Sequence, residues 1–192
     1  MTQRLIRAYT VQCELAFIEQ YFDEGTRERA MDQIPQAVRE EIGQLKPVDW
    51  CPVDYASYVL NAIASVKNDP EGSFADIVEC GKSISKEASN TFYKLMLNVV
   101  TPEVFLKKLD QTFWGRDFKG VGSWDIQIAE SGDRAKLELS DVKGLDHIGP
   151  LNEGFMRFIF GAMGYENVSC ETKGWSLAEP GPEVIQYEVT WS

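Results

Sequence analysis

The chain has 192 residues, of which 44% are hydrophobic and 26% are charged, and its formal net charge is −11. Binding to nucleic-acid phosphates or to anionic lipid needs a surface rich in Lys and Arg, so this charge argues against both kinds of partner. The length predicts one domain over residues 1–192, with a mainly helical part at 1–115 and an antiparallel sheet plus one helix at 116–192.

The N-terminal part is patterned for helices. After a short strand at 5–10, apolar residues recur at helical spacing, and Pro or Gly separates the runs. The predicted helices cover 11–22, 26–34, 36–42, 53–66, a stretch from 74 into the eighties that continues or restarts towards 99, and a helix after 101. Gly43 is a candidate C-cap, Ser73 a candidate N-cap, and Thr101-Pro102 an N-cap followed by Pro at the first helical position.

The C-terminal part predicts strand, strand, helix, strand, strand. Two alternating apolar runs flank Gly132, which suits a hairpin turn. The apolar face of 150–163 predicts a helix, on which Gly154 and Gly161 would allow close approach of another backbone. Strands follow at Val168 with Cys170 and at 184–191, and a mobile loop is expected at 171–182. The predicted fold class is α+β, with the helical part packed on a four-stranded antiparallel sheet.

The motifs for common chemistries are incomplete. Gly81-Lys82-Ser83 resembles the end of a phosphate-binding loop, but Asp76 stands where the motif needs Gly, so we interpret Gly81 as part of a helix. Catalysis by a Ser–His or Cys–His pair would have to use His147, the single histidine in the sequence. The alternative is a loop histidine at the surface.

The four cysteines are too widely spaced for a local zinc motif, so we expect no metal and thiols buried in the core. No apolar run reaches the roughly 18 residues of a membrane span, and no apolar stretch follows the basic N-terminus as in a signal peptide. These features predict a cytoplasmic protein with free thiols.

Several motifs together resemble a known family. They are Trp50-x-Pro52 before a helix, Thr101-Pro102-Glu103-x-x-Leu106, Trp114, and the final strand with Glu188-Val189-Thr190-Trp191. This order resembles an uncharacterised bacterial protein family of about this length. That family is similar to the superfamily of haem nitric-oxide-binding domains, vinyl-reductase-like sensor domains and transport-particle subunits.

The resemblance breaks where those relatives hold a metal. Phe113 stands in the place of the haem-ligating His and cannot coordinate iron. The haem-clamping Tyr-x-Ser-x-Arg has its nearest counterpart in Tyr55-x-Ser57-x-Val59, which lacks the arginine. The vinyl-reductase-like relatives can bind zinc through two cysteines, and here only Cys170 fits. No cofactor is therefore expected.

The resemblance implies a non-enzymatic module with an apolar interior pocket. Our first hypothesis is a haem-free sensory or regulatory domain that binds a small apolar ligand. Large rings and thiols form such walls, and the candidate lining residues are Trp50, Tyr58, Cys80, Phe92, Met96, Phe113 and Trp114. The alternative is an interaction module with a filled core, which forms a homodimer or binds a signalling partner. An enzyme that uses His147 is the third hypothesis.

Overall fold

The structure is a computed structural model, and it describes residues 3–67, 69–88 and 100–192. The N-terminal helices confirm the predicted helical part to within a few residues at most ends. Their bounds are α1 Ala8–Tyr21, α2 Glu24–Gln33, α3 Gln36–Gln44, α4 Asp54–Ser65 and α5 Pro70–Ala88. Helix α2 begins where the Asp23 side chain accepts a hydrogen bond from the Thr26 backbone N–H at 3.0 Å, as an N-cap does.

Two predicted helix ends are wrong. Gly43 lies inside α3 and does not cap it. Ser73 does not begin a helix either, because α5 already starts at Pro70. The Ser73 hydroxyl instead donates to the Ala64 carbonyl at 2.6 Å, which ties the start of α5 to the end of α4. The predicted continuation towards residue 99 lies outside the described residues beyond Ala88.

The helix after Thr101 begins as predicted and then changes its winding. Helix α6 spans Pro102–Lys108, and the Thr101 hydroxyl accepts a hydrogen bond from the Val104 backbone N–H. The chain then widens into a π-helical segment, Leu109–Trp114. A short helical turn, α7, follows at Gly115–Asp117.

The C-terminal part forms the predicted antiparallel sheet with one helix. Its strands are β4 Ser123–Ile128, β5 Arg134–Ser140, β6 Ser169–Lys173 and β7 Val184–Thr190, and its helix is α8 Ile148–Ala162. The strand order is β4-β5-β7-β6. In register, Leu137 lies between Ile126 and Tyr187, which places alternate apolar residues of neighbouring strands on one face. The α+β fold class is therefore confirmed.

A second, smaller sheet was not predicted. It consists of β1 Leu5–Arg7, β2 Trp50–Pro52 and β3 Phe118–Lys119 in the order β2-β1-β3. Ile6 pairs with Cys51 on one side and with Phe118 on the other. This sheet joins the start of the helical part to the chain that enters the larger sheet.

The core runs continuously from the helical part into the sheet. Helix α8 packs most extensively against α5, and it also covers β6 and β7. The junction between the helical part and the sheet is therefore formed largely by two crossing helices. No helix among the described residues is both long and apolar enough to cross a bilayer.

Candidate functional site

A cavity of about 70 Å³ lies where the helical part meets the larger sheet. Its walls come from α1, α5, the π-helical segment, α7, β3, β4 and α8. Most of the lining is aromatic or aliphatic. The described lining residues are Tyr9, Thr10, Gly81, Ile84, Ser85, Ala88, Leu109, Phe113, Trp114, Arg116, Asp117, Phe118, Trp124, Ile148, Leu151, Asn152 and Phe155.

The floor of the cavity is set by a close crossing of α5 and α8. A Cβ atom placed on Gly81 would lie 2.0 Å from the Leu151 carbonyl oxygen, so only glycine fits there. The two backbones therefore touch at this point. Ile84 on α5 and Phe155 on α8, each within one helical turn of this contact, also line the cavity.

The π-helical segment supplies the aromatic wall. Trp114 donates from Nε1 to the Val121 carbonyl at 2.9 Å, and its ring stacks on Phe118 with centroids 3.8 Å apart. Gly122, which has a φ of +76°, packs under the same indole ring. Phe113 lies 4.5 Å from the ring of Phe105 in the core. A π-helical turn adds a residue to the helix, which redirects the side chains that follow it.

Most polar side chains on the wall bond to protein groups. Arg116 forms two hydrogen bonds to Asp117, at 2.8 Å from Nε and 2.5 Å from Nη2. The Ser85 hydroxyl donates to the Gly81 carbonyl at 2.7 Å. Asn152 donates to the Tyr187 hydroxyl at 3.3 Å. The polar part of the wall thus has little net charge.

Tyr9 and Trp124 are two further lining residues with polar groups. Burial raises the pKa of the Tyr9 phenol well above its usual range, and Tyr9 shares a hydrogen bond with Cys13 one helical turn later. Trp124 is half-buried and lies edge-on to Trp114 with centroids 5.6 Å apart. Its Nε1 is buried and has no hydrogen-bond partner among the described residues.

The structure brings two of the predicted lining residues, Phe113 and Trp114, to the cavity. Cys80 is fully buried beside Gly81 but is not among the described lining residues of the cavity. Trp50 lies under the guanidinium of Arg7, whose Cζ is 3.8 Å from the indole centroid, on the small sheet.

Tyr58 departs furthest from the prediction, because it is 43% exposed on the outer face of α4. Phe92 and Met96 lie outside the described residues. Tyr9, Trp124 and Phe155 line the cavity but were not among the predicted pocket residues. The inward alternation of Trp124 along its strand was visible in the sequence, but nothing there showed that it faces a void.

His147 occupies a separate polar cluster at the start of α8. It is 2% exposed and has a left-handed φ of +61°. Asn61 donates from Nδ2 to Asp146 at 2.8 Å, so its Oδ1 is the acceptor for His147 Nε2–H at 3.0 Å. His147 Nδ1 is buried and has no hydrogen-bond partner among the described residues. Burial lowers the pKa of His147 to about 4.

The cysteines do not assemble into a metal site within the described part of the chain, where no group of three or more His, Cys, Asp or Glu side chains could hold an ion. Cys51, Cys80 and Cys170 are buried, Cys13 is half-buried, and all four are free thiols. Burial raises the pKa of Cys13 to about 11 and that of Cys51 to about 12. Thiols with raised pKa values are poor nucleophiles and poor metal ligands at neutral pH.

The architecture described above is that of the H-NOX proteins. The chain is similar to the unliganded Fe(II) H-NOX protein from K. algicida, with a TM-score of 0.73, 8% identity and 97% of each chain covered. A single-residue variant of that protein gives a TM-score of 0.71 at 10% identity, again over 97% of each chain.

A third similar structure is the H-NOX from Shewanella woodyi, bound to IWP-051 in the Fe(II)CO ligation state. Its TM-score is 0.63 at 10% identity, over 96% of this chain and 94% of that one. No protein-family model matches the sequence, and no curated protein is significantly similar to it. The resemblance to the haem nitric-oxide-binding fold is therefore confirmed, and at these identities it concerns the fold alone.

Proposed function

We propose that this chain is a haem-free sensory or regulatory domain that binds a small apolar molecule and carries out no catalysis. The observation that carries the proposal is the cavity between the helical part and the sheet, with Phe113 and Trp114 in its wall. Concave sites lined by aromatic and aliphatic side chains with few polar groups are the usual small-molecule sites of proteins.

The size of the cavity limits the ligand. An apolar cavity of about 150 Å³ holds benzene, so a cavity of about half that volume holds about three or four heavy atoms. The cavity here, at about 70 Å³, is of that smaller kind. Drug-sized ligands occupy roughly 300 Å³ or more and would need the walls to move apart.

The residues of the cavity do not fit a haem. The described lining residues include no His, Cys or Met, and Phe113 has no atom that could ligate iron. Tyr9 has a phenol oxygen, but a raised pKa keeps the phenol protonated, whereas ligation by Tyr uses the phenolate. Arg116, which could pair with a haem propionate, is already bonded to Asp117. Iron chemistry at this site is therefore not part of the proposal.

The burial and hydrogen bonding of His147 argue against catalysis by that residue. Its imidazole is buried, and the partner of its Nε2–H is the Asn61 amide oxygen. A general base has to reach the hydroxyl or thiol that it activates. The nearby Ser57 hydroxyl instead donates to the Gly144 carbonyl at 2.8 Å and accepts from the Asp146 N–H at 3.0 Å. Both side chains therefore have roles in holding the loop before α8.

The position of the cavity suits a sensor. It contacts α1 and α5 of the helical part and also β4 and α8 of the sheet part. A ligand that fills it would favour the arrangement in which these walls are closest together. A ligand shifts a conformational equilibrium only through such a difference in affinity between the two states. Occupancy could therefore be read out as a change in how α5 lies on α8.

Xenon is a suitable first probe, because it is apolar and enters small cavities. We expect xenon to shift the methyl NMR signals of the lining residues Ile84, Leu109, Ile148 and Leu151 in the wild-type protein. Ile84→Phe should abolish these shifts by filling the cavity. Val48→Phe is the control, because Val48 is 70% exposed and remote from the lining. If xenon shifts none of the methyl signals of the lining residues, the result contradicts the proposal and favours the interaction module with a filled core.

A haemin titration tests the haem-free part separately. We expect the visible spectrum of the mixture to remain that of free haemin. A shifted Soret band that saturates at one haem per chain would contradict this part of the proposal.

A further inference from the structure

We propose that the ligand of this cavity is an uncharged molecule of about three or four heavy atoms that carries one hydroxyl group, which donates a hydrogen bond to Asn152 Oδ1. The inference rests on the proposed function, since it names the chemical class of molecule that the same cavity would take. It adds a requirement that an apolar cavity alone would not impose, namely one hydrogen-bond donor on an otherwise apolar molecule.

Asn152 is the polar member of an apolar stripe on helix α8. The stripe consists of Ile148, Leu151, Asn152 and Phe155, which all line the cavity. These residues recur at intervals of three and four, and residues at this spacing share one face of a helix. The face that turns Leu151 and Phe155 to the cavity therefore turns Asn152 to it as well.

The amide oxygen of Asn152 is open to a ligand. Asn152 is 8% exposed, and its Nδ2 donates to the Tyr187 hydroxyl at 3.3 Å, which sets the orientation of the amide. No group among the described residues donates to its Oδ1. Oδ1 nevertheless keeps surface that a water molecule can touch. Because Asn152 lines the cavity and is otherwise buried, we assign this surface to the cavity wall.

A carboxamide oxygen accepts hydrogen bonds and cannot donate them, so its partner in the cavity has to be a donor. Water that enters the cavity can donate to Asn152 Oδ1. A ligand that displaces such water without replacing its hydrogen bond loses affinity. Thr10 is also buried on the wall, and its hydroxyl has no partner among the described residues. A hydroxyl both donates and accepts, so the requirement for a donor comes from Asn152.

The charges on the wall favour an uncharged donor. Burying an ion without a counter-ion is costly, and Arg116 and Asp117 already form an ion pair. An anion would have to displace Asp117 from Arg116, and an alkylammonium ion would have to displace Arg116 from Asp117. A hydroxyl is the smallest uncharged group that donates a strong hydrogen bond. The wall therefore favours a short aliphatic alcohol.

Three compounds, 2-propanol, acetone and isobutane, make a matched set of probes. Each has a central carbon bonded to three heavy atoms, and they differ in carrying a hydroxyl group, a carbonyl oxygen or a third methyl group. We expect all three to shift the lining methyl signals. The side-chain ¹³Cγ signal of Asn152 should lie further downfield with 2-propanol bound than with acetone or isobutane bound, because only the alcohol donates to Oδ1.

Asn152→Leu removes the acceptor and keeps a side chain of similar size. The variant should bind 2-propanol about fivefold more weakly than the wild type, in line with the loss of one neutral hydrogen bond. Isobutane binding should change by less than about twofold, because isobutane never used the acceptor. Gln127→Leu is the matched control, because it removes an exposed amide on β4 and should change the binding of neither probe.

The outcomes separate the two proposals. If xenon and isobutane bind but the Asn152 signal is the same with 2-propanol as with acetone, the hydroxyl requirement is wrong and the apolar cavity stands. The same conclusion follows if Asn152→Leu weakens the binding of 2-propanol and isobutane equally. If no probe shifts the lining methyls, the proposed function fails. The Asn152 signal of the wild-type protein, assigned by triple-resonance spectra, decides the matter even if Asn152→Leu does not fold.

Discussion

Gly154 on helix α8 lies directly against the carbonyl oxygen of Val78 on helix α5, so closely that a Cβ atom placed on Gly154 would be 2.0 Å from that oxygen. Gly81 has the same relationship, at the same distance, to the Leu151 carbonyl on the opposite helix. The crossing is therefore backbone against backbone on both sides. Neither neighbour is a flexible side chain, so nothing at the crossing can turn aside to make room.

We predict that Gly154→Ala destabilises the protein. The added methyl group must push α5 and α8 apart, and overpacking of this kind costs about 1–3 kcal/mol or more of the free energy of unfolding. The same displacement would alter the cavity beside the crossing. Denaturant unfolding measures the loss, and the methyl signals of Leu151 and Ile84 report the change in the cavity.

Gly161→Ala is the matched control. Gly161 lies on the same helix, and nothing comes within 4 Å of a Cβ atom placed there. Alanine is a better helix former than glycine by about 0.5–1 kcal/mol, so this variant should be as stable as the wild type or more so. If the two alanine variants were equally stable, the close crossing would not exist in solution.

These glycines also show how much of the helix crossing could be predicted from the sequence. Gly154 and Gly161 were both predicted to allow close approach, and the structure confirms Gly154 alone. Gly81 was noted for an incomplete phosphate-binding motif and was interpreted as a helical residue, without any partner. Which small residues meet depends on where two helices cross, and a crossing point has no signature within either helix.

The larger sheet was predictable for a local reason. One face of β4 is half-buried and one face of β5 is buried in the core, so Trp124, Ile126 and Leu137 alternate with polar residues in the sequence. The small sheet has no such signal. Its strands have two or three residues each, which is too short for a period of two to be visible. They pair residues as distant as Ile6 and Phe118.

The candidate site was predictable only in part. A cavity is a space that side chains leave unfilled, and residue types alone do not show which side chains face such a space. Aromatic residues on the predicted helices suggested a wall, and Phe113 and Trp114 belong to it. Tyr58 has the same residue chemistry but is on the outer face of α4. Tyr9 was placed in a predicted strand, whereas β1 ends at Arg7 and Tyr9 is on α1. Tyr9 is therefore on the cavity wall because it belongs to α1, which the sequence did not predict to start so early.

Glu14 leads to a prediction about pH. Its carboxyl group is fully buried, and neither oxygen has a hydrogen-bond partner among the described residues. Burial raises the pKa of Glu14 well above 4.5, the value expected in the unfolded chain. Above pH 4.5 the folded protein therefore binds more protons than the unfolded chain. Stability contributed by the protonated form is full below pH 4.5 and is lost as the pH rises towards the folded pKa.

We expect Glu14→Gln to remove this dependence. The amide is close in shape to the protonated carboxyl group and does not titrate. The free energy of unfolding of the variant relative to the wild type should rise with pH above 4.5, by at most about 1.4 kcal/mol per pH unit. Urea unfolding at several pH values measures the difference. A difference that stays constant from pH 5 to pH 8 would show that Glu14 ionises freely in the folded protein.

His147 should act in the opposite direction. Its pKa is lowered from 6.5 to about 4, so between these values the unfolded chain binds more protons than the folded protein. Stability is therefore full above pH 6.5 and is lost as the pH falls towards 4, by up to about 3 kcal/mol. The physical reason is that a second proton, on Nδ1, would be buried without an acceptor among the described residues.

His147→Asn tests this prediction, because Asn tolerates the left-handed backbone at this position. The variant should lose less stability than the wild type on acidification from pH 6.5 to pH 4. The indole N–H of Trp175 is a useful local probe, because the centroid of the indole ring lies 5.8 Å from that of the imidazole ring. Identical acid profiles for the two proteins would mean that another group is responsible.

Arg157 and Glu153 of helix α8 cover the free edge of strand β6, and this arrangement gives a last prediction. The Thr172 backbone N–H donates to Glu153 at 2.8 Å, Arg157 donates to the Cys170 carbonyl at 3.0 Å, and the two side chains form an ion pair at 2.6 Å. Uncovered strand edges tend to pair with other chains. We expect Arg157→Ala to lower stability, since Glu153 is buried, and to increase self-association.

Sedimentation velocity at several concentrations measures the association, and Lys173→Ala is the control on the same strand. Lys173 pairs with Glu188 at 2.9 Å, and both side chains are about half exposed. Exposed pairs of this kind contribute about 0–1 kcal/mol, and this one lies on the face of the sheet, away from the free edge. Lys173→Ala should therefore sediment like the wild type. If Arg157→Ala does so too, the ion pair does not protect the edge, and its contribution is limited to holding α8 against β6.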